Sequence, residues 1–101
     1  DAVTWLAFAR RLEVQGNFHH AAAAYQQALI RDPYHREARV GRAETLARAD
    51  DAEELYRFLH ELVFSDPQLT LELLGRATFA RYLPAPRFRA LADEARTQAI
   101  D

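Results

Sequence analysis

The chain has 101 residues, half of them hydrophobic, and no apolar run long enough to span a bilayer, so no membrane insertion is expected and one globular domain with its own core is. Acidic residues outnumber basic ones 15 to 13, and phosphate recognition needs a basic stripe, so direct contact with nucleic acid is not expected either. The absence of cysteine removes disulfides, thiolate metal sites and cysteine nucleophiles together.

The predicted elements are helices throughout, six of about 13 to 15 residues, with boundaries good to ~2–4 residues. The first, near 2–15, places Trp5, Phe8, Ala9 and Leu12 at three- and four-residue steps, the stripe of an amphipathic helix. The second, near 18–31, follows Gly16-Asn17-Phe18 and carries the run Ala21 to Ala24 before Tyr25 and Ala28. The third lies near 36–48, with Asp32 expected as its N-cap and Pro33 at its first position. The fourth, near 51–64, is predicted to start on a capping box of Asp50 and Glu53 and to bury Leu55, Phe58, Leu59 and Leu62. The fifth, near 68–82, has Asp66 as cap and Pro67 behind it; the sixth lies near 86–99, after "YLPAPRF".

Compared with itself at an offset of about 34 residues, the chain aligns Ala9 with Ala43 and Ala77, Leu6 with Val40 and Leu74, Tyr25 with Leu59, and Pro33 with Pro67. In the first unit Trp5-x2-Phe8-Ala9-x2-Leu12 leads to Ala21-x3-Tyr25, Ala28 and Pro33. This pattern resembles the tetratricopeptide repeat family. The second unit is degenerate, with Arg39 at the tryptophan position and Arg42 at a large apolar one, and the third keeps Leu73, Ala77 and Ala80 before its turn departs from the pattern.

The resemblance implies an all-α fold, a right-handed α-solenoid of antiparallel helix hairpins. It forms one domain over 1–101, in units of about 2–35, 36–69 and 70–101. A chain that opens on Asp1 and lacks methionine is read as a segment excised from a larger protein, with a cytoplasmic location favoured. The family generally supplies scaffolds whose first helices line a groove for a peptide or partner helix. By register that groove would include Leu6, Arg10 and Glu13, then Val40, Glu44 and Ala47, then Leu74, Thr78 and Arg81. Trp5, Phe8, Phe18 and Tyr25 would pack in the core, while Tyr34, Tyr56 and Tyr82 would be interfacial. The co-chaperone members of the family hold a partner's C-terminal carboxylate with Lys, Asn and Arg; here the matching positions hold Leu6, Arg10, Gly41, Leu71 and Gly75, so no chaperone-tail binding is expected.

The residues offer little for catalysis or metal binding. His19 and His20 are adjacent, so on a helix they point about 100° apart and do not chelate one ion, and no H-x3-H or H-E-x-x-H spacing brings in His35 or His60. Ser65 is the only serine and no nucleophile elbow surrounds it; Glu53 with Glu54, and Asp93 with Glu94, splay apart as neighbours. No enzyme activity, metal or cofactor is expected. Three functions are carried forward: an interaction module binding another protein or peptide, a self-association element, and a regulatory helical domain of a larger bacterial transcriptional or signalling protein.

Overall fold

The computed structural model describes residues 1–100. It is all-α: among the described residues there are six α-helices, one short 3₁₀ turn and no strand. The helices fall into two compact units, Asp1–Asp50 and the residues from Asp51 onward.

In the first unit α1 spans Ala2–Val14, α2 Phe18–Arg31 and α3 Arg36–Arg48. Asp1 caps α1 by accepting the Thr4 amide at 2.9 Å. A Schellman turn ends the helix, with Gly16 at φ 77° donating to the Glu13 carbonyl and Asn17 donating to that of Leu12, both at 2.9 Å. That tight turn folds α2 back along α1, so Arg31 at the end of α2 stands 5.4 Å from the centre of the Trp5 ring at the start of α1. Arg48 likewise ends α3 beside Phe18 at the start of α2, 5.7 Å away. The core between them is Leu6, Ala9, Ala24, Tyr25, Ala28 and Ala38, edged by Trp5, Leu12 and Leu29. Its alanines let the helices approach closely.

Several expectations for this unit need correction. Phe8 is 46 % exposed, packing edge-on against Trp5 rather than entering the core. Asp32 ends α2 instead of capping α3; the cap is His35, whose ring nitrogen accepts the Ala38 amide at 3.2 Å, and Pro33 sits in the intervening turn. Asp50 is not the cap of the next helix either. It takes the left-handed conformation that follows α3, φ 59°, and Asp51 caps α4 by accepting the Glu54 amide. Arg42 fills its large apolar position while buried, and its guanidinium donates to the Ala22 carbonyl at 2.9 Å, which offsets its desolvation.

The second unit holds α4 (Ala52–Ser65), α5 (Pro67–Leu74), a 3₁₀ turn at Ala77–Phe79 and α6 (Pro86–Ile100), each helix packed on the other two. Asp66 caps α5 as expected, accepting the Leu69 amide at 3.0 Å, with Pro67 at the first position. The fifth helix nevertheless stops eight residues before its predicted end at 82. Its buried stripe is Leu69, Thr70, Leu73 and Leu74, and continuing at 3.6 residues per turn would place Phe79 and Tyr82 on the opposite face. The chain turns extended at Arg76 (ψ 150°) instead, and both rings become buried. Ala77, aligned by register with Ala9 and Ala43, and Ala80, aligned with Leu12 and Leu46, are exposed in consequence, and Tyr82 is a core residue rather than an interfacial one.

Candidate functional site

The predicted groove residues divide by burial. In the first unit Leu6 is 5 % exposed within the core and Ala47 is fully buried; in the second Leu74 is 3 % exposed. These three are buried and offer no surface. Thr78 lies half-buried in the 3₁₀ turn, and Arg81 is exposed with its guanidinium 5.0 Å from the centre of the Tyr82 ring.

The remaining residues share one face of the first unit. Arg10 of α1 forms an ion pair with Glu37 of α3, both about half-exposed, and this contact brings the two helices together. One turn along α1 from Arg10 stands Glu13; one and two turns along α3 from Glu37 stand Val40 and Glu44, Glu13 and Val40 half-buried and Glu44 only 12 % exposed. Glu44 also lies 3.8 Å from Arg48 on its own helix. The result is a mixed strip, one small apolar side chain among three carboxylates and a guanidinium.

Beneath the strip, Tyr25 reaches up from α2 and donates its hydroxyl to Glu13 Oε1 at 2.7 Å. The ring is 3 % exposed, and against it Gly41 of α3 packs so closely that a Cβ at that position would lie 2.3–2.7 Å from the ring carbons. Gly41 thus seats the tyrosine that orients Glu13. The register identified Tyr25 as a core residue, but its bond to Glu13 and its contact with Gly41 depend on the helix crossing, which no local pattern encodes.

Burial, followed by the Glu13 carboxylate as acceptor and as neighbouring negative charge, pushes the Tyr25 hydroxyl well above the ordinary tyrosine range. A folded-state pKa above the unfolded one means the native chain holds the proton longer, so the associated stability is fully present below about pH 10 and is lost as pH rises through the folded value. Tyr25→Phe is expected to lower stability at pH 7 by about 1 kcal/mol and to flatten the loss of stability above pH 10, measured by urea melts at a series of pH values.

The histidines show no convergence. His20 Nδ1 faces Asn17 Oδ1 at 2.7 Å, His19 is exposed, and His35 serves as a helix cap. Among the described residues no three His, Cys, Asp or Glu side chains cluster to hold a metal ion, and no helix is long and apolar enough to cross a membrane.

No curated protein and no solved structure gives a significant match to the chain. The family model described as tetratricopeptide repeat matches residues 2–45, from the start of α1 to near the end of α3. Such repeats generally mediate protein–protein interaction and are generally non-catalytic. The hairpin of α1 and α2, its glycine turn, its alanine-lined interface and the family match over the same residues agree, and this N-terminal segment is similar to the tetratricopeptide repeat family.

Proposed function

We propose that the protein is a non-catalytic interaction module whose first unit binds a peptide or partner helix along the α1/α3 face. The observation that carries this reading is the strip Arg10, Glu13, Val40 and Glu44. It stands at the groove register of a matched tetratricopeptide repeat, with Arg10 at the surface and Glu13, Val40 and Glu44 partly accessible beside it. Charged side chains spaced by helical turns around a small apolar one suit a segment that lays one side chain on Val40 and aligns its own charges on either side. Thr78 and Arg81 are the register-equivalent positions proposed for the second unit.

A peptide-display selection followed by titration of the selected peptide tests it. Arg10→Glu and Glu44→Lys should each weaken binding by about tenfold or more, and Arg10→Glu, at a half-exposed side chain, should leave the unfolding free energy within about 0.5–1 kcal/mol, since exposed charges contribute little to stability. Selected peptides whose binding ignores both substitutions would remove the α1/α3 face from consideration.

A second reading rests on a different observation. Val3, Phe8 and Val14 of α1 are 71 %, 46 % and 89 % exposed, an apolar population that favours self-association. Sedimentation over a concentration series distinguishes the two.

A further inference from the structure

We propose that the second unit carries a separate docking surface, the groove between α4 and α6, and that its occupant is a partner segment presenting an arginine or lysine beside an apolar side chain. The two helices run the same way along the groove. Glu53 at the start of α4 pairs with Arg87 at the start of α6 at 2.9 Å, and a turn or more further on Val63 and Phe64 face Leu91 and Glu94 across a cavity of about 170 Å³. That volume suits one or two peptide side chains and lies below the ~300–1,000 Å³ of small-molecule sites.

Along α4, Tyr56, His60 and Phe64 recur every fourth residue and form a continuous aromatic row, with ring centres 5.8 Å and 6.0 Å apart. The row is accessible: Phe64 is 57 % exposed, and His60 is exposed as well. The first part of the row already holds a cation. The Arg87 guanidinium stands 4.9 Å from the Tyr56 ring centre and 5.3 Å from that of Phe88, with Glu53 as counter-ion. That ion pair also draws the Glu53 carboxyl below the usual range.

The remainder of the row repeats the same combination of ring faces and carboxylate without a cation. Glu94 lines the groove beside His60 and Phe64, and its partner is the neutral amide of Gln98, at 3.0 Å. Glu61 lies exposed on the other side of the row, in a hollow shared with Tyr56 and His60. The two basic residues nearby are already paired, Arg57 with Glu54 and Arg87 with Glu53. The charge left over is negative, and ring faces attract cations, so the complementary side chain is basic; Val63, Ala90 and Leu91 supply the apolar floor for its neighbour.

The experiment is fluorescence anisotropy with two labelled probes, a short peptide with arginine flanked by leucines and the same peptide with glutamate for arginine. The arginine probe is expected to bind at least about tenfold more tightly. Phe64→Ser and Glu94→Lys should each reduce its binding by about tenfold or more, and Glu61→Lys, at an exposed position, should weaken it with little effect on the fold. Arg10→Glu, on the first unit, should leave it unchanged, which separates this surface from the α1/α3 face. Equal binding of both probes, or none, overturns the proposal, as does loss in Arg10→Glu with none in the α4 and α6 variants. A dimer formed without peptide and dissolved by Phe64→Ser would make a second copy the occupant and overturn it equally.

Discussion

A chain ending at Tyr82, without α6, is expected to lose the cooperative unfolding of its second unit. The helix contributes Phe88, Leu91, Ala92 and Ala95 to the interior, all at most 6 % exposed, and packs against both α4 and α5. Phe88 is the centre of this contact: its ring meets Tyr56 edge-on at 5.8 Å and Tyr82 at 5.3 Å. Removing the helix exposes Leu73, Leu74 and Phe79 as well as deleting its own apolar surface. At roughly 1.5–3 kcal/mol per large side chain the loss is on the order of 5 kcal/mol or more, comparable with the ~5–15 kcal/mol that holds a whole domain. Phe88→Ala alone should cost about 3–5 kcal/mol by leaving a ring-sized cavity among these residues. Urea melts followed by far-UV circular dichroism check both; an unchanged midpoint in the shortened chain would show that α4 and α5 do not depend on α6.

The second large effect is expected at Gly41, where substitution inverts the usual helix rule. Glycine in a helix interior normally gains about 1 kcal/mol on replacement by alanine. Here the new Cβ would fall 2.3 Å from the Tyr25 ring, far inside the ~3.5 Å contact distance of two carbons. The ring cannot swing away cheaply, being 3 % exposed and tied through its hydroxyl to Glu13. Overpacking of about 3 kcal/mol less the propensity gain leaves Gly41→Ala about 2 kcal/mol less stable. In a Tyr25→Leu background, where the outer ring carbons are gone, the same substitution should become stabilising by up to about 1 kcal/mol. A double-mutant cycle measured by thermal or urea unfolding reads the coupling. Additive effects would mean that the two residues do not meet.

The helices from α1 to α4 were legible because their apolar residues recur at helical spacing and their ends carry residues that act locally. Gly16 supplies the left-handed turn, and Asp66 with Pro67 starts α5 as the dipeptide suggests. The repeat register extended this to the hairpin of α1 and α2, to the alanines between them and to Tyr25 as a core residue. It did not reveal which way the repeated apolar rows face: Leu6 and Leu74 read as groove anchors but are buried, whereas Phe8 reads as core and is exposed.

Local signals also competed where two neighbouring residues could both cap. Asp32 and Asp50 lost that role to His35 and Asp51, a difference of one to three residues set by how each turn closes. The α1/α3 strip, the seating of Tyr25 on Gly41 and the α4/α6 aromatic groove required the tertiary structure, because each joins residues from different helices. Only Tyr56, His60 and Phe64 of that groove could have been read ahead from their four-residue spacing. The early end of α5 was decided the same way. Burying Phe79 and Tyr82 against the rest of their unit outweighed the hydrogen bonds of two further helical turns, and a sum over long-range contacts is not written in the local sequence.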